Sequence, residues 1–293
     1  MKLEVRLLLR DDLEKKLLRN RHFSKEIDLA VLPYTWVNYD SEFVSRIIQE
    51  SVGTSGMRVY LHFEITKKEF ENVKYYEVEP RSIIRMDDHS LEKNEKYMEG
   101  QPYIITSDRT RIKLRERVYI GKPFPKTMTI SSIEFGEGYV SSKEVSSIFI
   151  ANKVTAYIEY PVFESTTDEA IDKYVLIGSG NILPPLTEDV TILPAPGSPE
   201  DDLYYRRLGL PSYPSEEMES FCDFNITAES YRENDTGLMV VSEKVIRLVK
   251  DNKIRGVAFR PVLDRSTKLY DKYLKIFSSF QESLMVNPNN VIS

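Results

Sequence analysis

Cysteine is almost absent from this chain: Cys222 is the only one in 293 residues. No intramolecular disulfide can form, which excludes a small stapled fold and fits a reducing, bacterial cytosolic compartment. Histidine is nearly as scarce. His22, His62 and His89 lie far apart, and none has a histidine or cysteine at ligand spacing, so no metal centre is expected. Gly178-Ser179-Gly180 lacks the Lys-Ser/Thr of a phosphate loop, and no cofactor is expected either. No stretch approaches the ~18 apolar residues of a membrane span. Leu7-Leu8-Leu9 is too short for a signal-peptide core, and charges follow at once. These absences point to a cytoplasmic protein without a membrane partner.

What the chain has is an internal repeat. Residues 140–163 (VSSKEVSSIFIANKVTAYIEYPVF) align without a gap on residues 240–263 (VVSEKVIRLVKDNKIRGVAFRPVL). Val140/Val240, Ser142/Ser242, Val145/Val245, Asn152/Asn252, Lys153/Lys253, Pro161/Pro261 and Val162/Val262 are identical. Ser142 and Ser242 occupy helix N-cap positions, where a side-chain oxygen accepts from the first turn. Val145, Ile148 and Phe149 recur at i, i+3 and i+4, as do Val245, Leu248 and Val249, and so line one helical face. Asn152 and Asn252 fall where a left-handed residue ends a helix. A strand follows, with Val154, Ala156, Ile158 and Tyr160 on one face, and Pro161 and Pro261 should end its pairing or mark an edge. Each unit therefore reads helix, turn, strand; Tyr174–Gly178 supplies a further strand to the first.

The remaining pattern is mixed. Residues 3–9, 28–37, 59–65 and 75–78 read as strands. Helices are expected near 11–19, 41–48, from Lys67, and over 266–284, where Leu269, Tyr273, Ile276, Phe277 and Phe280 share a face. Residues 87–100 are polar and read as a loop with a helical turn. The fold class is α+β, with mixed sheets and short helices. We expect an N-terminal α+β domain over 1–137 and a C-terminal domain over 138–293, in which the tandem units 140–163 and 240–263 flank an acidic, proline-rich excursion. Seven of the 15 prolines fall in 184–214, which denies helix and interior strand there.

Charge is unevenly spread. The net charge is −6, yet residues 188–235 alone hold 12 acidic and three basic groups. Such a segment repels nucleic acid and attracts a basic partner. Glu200, Asp201, Asp202, Glu216, Glu217 and Glu219 are the candidate partner-binding carboxylates, with Tyr204, Tyr205 and Tyr213 as aromatic anchors. Opposed to this, Arg109, Arg111, Lys113, Arg115 and Arg117 alternate with Ile112, Leu114 and Val118, as on a basic strand 109–117. That strand is either a nucleic-acid ribbon or a solvated face that discourages edge pairing. Asp87-Asp88-His89 resembles a fragment of an acid/base site, the basis for an alternative as an enzyme of unrecognised type. Cys222 has no neighbouring base to make it a nucleophile, and no catalytic residue is assigned.

The Ser-capped helix, the turn at Asn-Lys and the strand ending in Pro-Val, best seen in VVSEKVIRLVKDNKIRGVAFRPV (240–262), resemble the C-terminal signature of bacterial immunity proteins from polymorphic toxin systems. The resemblance spans about a third of the chain. It implies a non-catalytic cytosolic protein that binds and neutralises one cognate protein toxin.

Overall fold

The computed structural model describes residues 1–9, 37–38, 57–107, 110–122, 126–134, 138–186, 192–194, 205–207, 209–230 and 237–285. The helices expected at 11–19 and 41–48, and the strand at 28–36, lie outside them. The fold is α+β. The chain divides into two compact units, one formed by 1–72 with 265–293, the other by 73–264. The expected boundary near 137 is therefore corrected. The reason is that four strands, Tyr75–Pro80, Ile83–Ile84, Val118–Ile120 and Ile130–Ile133, all before residue 137, complete the sheets of the two repeat copies.

In the first unit, β1 (Lys2–Leu9) pairs antiparallel with β2 (Val37–Asn38) and β3 (Met57–Glu64). A capping box at Thr66 and Glu69 opens α1 (Lys67–Glu71). The Glu69 carboxylate also takes the Met1 ammonium at 2.8 Å and Lys272 Nζ at 2.7 Å. Burial would raise its pKa, but these cations, Lys272 first, hold it well below the carboxylate range. The last helix of the chain, Lys268–Met285, belongs here too. It buries Tyr270, Tyr273, Phe277 and Phe280, with Tyr273 and Phe277 ringed against Phe63 at 5.1 and 6.2 Å.

The second unit runs β4 (Tyr75–Pro80), β5 (Ile83–Ile84), α2 (Asp88–Glu99), β6 (Ile104–Ser107), β7 (Thr110–Ile112), β8 (Val118–Ile120), β9 (Ile130–Ile133) and β10 (Tyr139–Ser142). It continues through α3 (Lys143–Ala151), β11 (Tyr157–Glu164), β12 (Ala170–Ser179), β13 (Ile192–Pro194), β14 (Tyr205–Arg207) and β15 (Ser212–Tyr213). It ends with α4 (Ser215–Met218), β16 (Phe224–Ser230), β17 (Gly237–Ser242), α5 (Glu243–Asp251) and β18 (Val257–Asp264); the chain then enters α6, the Lys268–Met285 helix.

Two sheets carry the repeat. Their orders are β5-β9-β10-β12-β11-β8 and β15-β18-β4-β17-β16. In the first copy, Val140 of β10 lies between Ser131 and Leu176; in the second, Val240 of β17 lies between Asn225 and Glu77. Tyr160 faces Leu176, as Arg260 faces Glu77. The outer parallel strand joins at Val162 in one copy and at Leu263 in the other. All five strand positions therefore correspond in register. β12 and β4 are equivalent central strands, with Lys-Tyr at equivalent register positions (Lys173-Tyr174, Lys74-Tyr75). In the first copy the central strand follows by a hairpin. In the second it comes from a segment that precedes the whole first copy, so one copy is nested inside the other.

Backbone bonds between the copies are reciprocal. Phe224 N–H donates to Thr155 O (3.1 Å), and its equivalent Ile130 N–H donates to Arg255 O (2.9 Å). Ile226 N–H donates to Asn181 O as Ser132 N–H does to Ser82 O. Beside these, Asn181 Nδ2 donates to Asn225 Oδ1 at 2.7 Å, and the Ser82 and Ser131 hydroxyls meet at 2.8 Å. Contacts in which i meets j and j′ meets i′ are the mark of a two-fold interface, here within one chain.

Local details correct the sequence reading. Asn152 and Asn252 have φ near −90° and cap their helices through Nδ2, donating to Ile148 O and Leu248 O. The left-handed residues are Lys153 (φ 50°) and Lys253 (φ 55°). Ser142 and Ser242 are N-caps by backbone, but their hydroxyls turn elsewhere: Ser142 Oγ accepts from Met128 N–H and Ser242 Oγ donates to Asp223. Helix burial follows Val145, Ser146, Phe149 and Val245, Ile246, Val249; Ile148 and Leu248 are half-buried. Pro161 and Pro261 sit inside strands, opposite Val175 and Tyr76. The parallel neighbour begins only after each proline, so the outer edge is still open there. Residues 88–99 form a full helix rather than a loop, started by Asp87, whose carboxylate accepts from Ser90 N–H at 2.7 Å.

Candidate partner-binding surface

Glu216 and Glu217 lie on α4, and Glu219 caps its end. Pro214, fixed near φ −57°, opens α4, and Ser215 Oγ donates to Asp264 Oδ1 at 2.5 Å. Met218 and Phe221 fasten the short helix to a core of Leu183, Leu186, Tyr213, Val240 and Val262. Glu216 and Glu219 are left exposed and Glu217 half-buried. Tyr213 is corrected. It is 1% exposed, with its ring edge-on to Phe221 at 5.0 Å, so it anchors α4 and not a partner. The reason is the parallel pairing of β15 with β18, which puts both its residues inside the sheet. Tyr205 lies on β14, opposite Pro194 of β13. Glu200, Asp201, Asp202 and Tyr204 lie outside the described residues.

Behind this surface, Asp223 joins the two copies. Its carboxylate accepts from Ser242 Oγ (2.6 Å), Thr155 N–H (2.9 Å) and Lys244 Nζ (3.0 Å). Asp223 N–H in turn donates to Thr155 Oγ1 at 2.8 Å, and Lys244 Nζ also reaches Lys153 O. Burial pushes this carboxyl up, but the bonds from Ser242, Thr155 and Lys244 outweigh it and hold it below the usual aspartate range. Sequence reasoning missed Asp223 as a junction. Its partners stand 68 and 19 residues away, and no local spacing connects them.

The other sequence candidates take structural roles. Asp87 is a helix cap, with Ser165 Oγ also donating to it at 3.4 Å. The Ser90 hydroxyl and N–H beside it hold its carboxyl below the usual range. The basic ribbon 109–117 is not one strand: β7 ends at Ile112, and residues 113–117 have no ladder. Lys113 and Arg115 are buried, donating to Met98 O (2.8 Å) and Asn94 Oδ1 (3.0 Å) at α2. Arg117 lies over the Tyr97 ring at 5.0 Å. The alternation of charge was real in sequence, but packing against α2 turned two of the cations inward. Cys222 is half-buried in a turn closed by Asn225, which accepts from Cys222 N–H and donates to Cys222 O, each at 2.8 Å. Among the described residues no group of three or more His, Cys, Asp or Glu could hold a metal ion. Among them, too, no helix is long and apolar enough to cross a membrane.

No protein-family model matches the chain, and no curated protein matches it.

Proposed function

We propose that this protein is a non-catalytic binding protein of the immunity type, which captures a basic cognate toxin and blocks it. The observation that carries the reading is the fate of the motif on which the resemblance rests. Residues 240–262 fold as one strand–helix–strand module, and residues 140–162 fold as the same module again. The buried helix positions coincide, Val145, Ser146 and Phe149 with Val245, Ile246 and Val249, whereas exposed helix positions have diverged: Ser147, Ile150 and Ala151 stand where Arg247, Lys250 and Asp251 stand. A scaffold whose helices keep their buried positions while the exposed ones vary suits a protein selected for contact. The carboxylates of α4 and the acidic stretch 188–235 supply a field that speeds encounter with a cationic partner.

The test is co-expression of the full chain with the toxin domain encoded beside its gene. Rescue of growth and a stable complex in gel filtration are expected; no rescue and no complex would end the reading. Reversing charge at Glu200, Asp201, Asp202, Glu216 and Glu219 together should weaken that complex at least tenfold at low salt. Unchanged affinity would remove the acidic surface from the proposal while leaving the rescue result intact.

A further inference from the structure

The two central strands are interchangeable in principle. β12 and β4 share a Lys-Tyr pair at equivalent register positions (Lys173-Tyr174, Lys74-Tyr75), occupy equivalent slots between equivalent strands, and pair antiparallel with both neighbours. A chain that holds two equivalent slots and two equivalent strands can thread them wrongly. Something must assign each strand to its slot.

One diagonal contact differs between the copies in a way that does this. In the first copy the Tyr160 ring of β11 lies over Gly178 of β12. A Cβ at Gly178 would meet Tyr160 Cε2 at 2.3 Å. In the second copy the equivalent residues are Arg260 of β18 and Glu79 of β4, and Arg260 Nε meets Glu79 Oε1 at 3.2 Å. Both side chains are about one-third exposed, so the pair is partly desolvated. A bare glycine under a ring and a carboxylate under a guanidinium are mutually exclusive fillings of one position. β4 in the first slot would drive the Glu79 side chain into the Tyr160 ring. β12 in the second slot would leave Arg260 opposite Gly178 with no carboxylate.

We infer that Tyr160/Gly178 and Arg260/Glu79 are matched keys that keep the two central strands in their own slots, and that without them β4 competes with β12 for the first slot during folding. β4 leaves the second copy for the first at Arg81-Ser82, whose N–H groups both donate to Gly256 O. The inference is independent of any toxin partner.

The experiment is refolding of the full chain from denaturant, with native monomer separated from other species by gel filtration. Giving both slots the same key, either with Y160R/G178E or with R260Y/E79G, leaves each native contact matched but abolishes discrimination. Recovered native monomer should fall at least twofold, with the balance wrongly threaded or aggregated, while the monomer that forms keeps its melting temperature within a few degrees. The quadruple variant Y160R/G178E/R260Y/E79G exchanges the keys and should restore the monomer yield. Double variants that refold to monomer as well as the parent overturn the inference. So does a quadruple variant that recovers no better than the doubles, because the defect would then be one of packing.

Discussion

The first and second copies share every strand position yet fill one part of their interiors with opposite chemistry. Under α3 the first copy buries Ser141, Ser146 and the Tyr157 hydroxyl together. Under α5 the equivalent residues are Val241, Ile246 and Val257. Two small residues accompany one large ring in the first copy, and two larger aliphatics accompany a small one in the second. Volume is balanced across the set, which is how cores tolerate divergence without losing their backbone. The Tyr157 ring is in turn held against Phe149 (5.4 Å) and Phe224 (5.2 Å) of the neighbouring copy, and burial raises its phenol pKa. The lesson is that the copies diverged as sets of touching residues rather than site by site.

The most damaging test of this comparison is Phe224→Ala. Phe224 is 1% exposed and packs on both Phe149 and Tyr157, so its loss should lower stability by about 3–5 kcal/mol in urea unfolding. A value below ~1 kcal/mol would mean the aromatic junction does not hold the copies together. Next, Tyr157→Val alone should lower stability by roughly 3 kcal/mol. The triple change S141V/S146I/Y157V, which transplants the second copy's set, should lower it by less than ~1.5 kcal/mol. Additive losses would show that the three positions are independent.

Gly256→Ala probes the turn. Gly256 has φ 93°, and a Cβ there would meet Ile130 O at 2.1 Å, whereas the equivalent Ala156 sits at φ 57°. The substitution should cost more than ~1 kcal/mol, and Ala156→Gly should be neutral or stabilising; equal effects would contradict the asymmetry.

Asp223 makes the junction sensitive to acid on one side. Its folded pKa is depressed, so the stability it contributes is full above the unfolded aspartate value of about 3.9 and is lost as pH falls through the folded value. The equivalent position is Thr129, which does not titrate. Amide exchange at Thr155 should therefore accelerate on acidification before that at Arg255, whose N–H donates to Met128 O. Asp223→Asn should abolish the difference. The smallest effect belongs to Lys153→Gly and Lys253→Gly. Each relieves a left-handed lysine and should stabilise by about 0.5–1 kcal/mol. Thermal melts should show the same increment in both copies.

Much of this architecture was legible beforehand. The repeat was visible because the positions that pack α3 and α5 onto their sheets recur at helical spacing. β1, β3, α1 and α6 were visible for the same reason: period two or period 3.6 writes burial into sequence. Helix α2 was hidden by its polarity, since its buried face is Ser90, Asn94 and Met98, and Asn94 is buried to satisfy Tyr119 N–H and Arg115. The inward turn of Lys113 and Arg115 was hidden because a cation's burial depends on which carbonyls a distant helix presents. Of the partner-binding candidates, Glu216 and Glu219 are exposed, while Tyr213 was misjudged because its burial follows from a strand pairing.

By itself the sequence determined the duplicated module, the extent of its helices, and the placement of excess negative charge. These are local quantities, set by periodicity, capping residues and composition. Only the tertiary structure decided that the second copy takes its central strand from residues 75–80, that the copies meet by reciprocal bonds, and that Asp223 couples them. The first depends on pairings across more than a hundred residues and the others on contacts that no local spacing connects, and backbone hydrogen bonds carry no side-chain signature from which such a partner could be read.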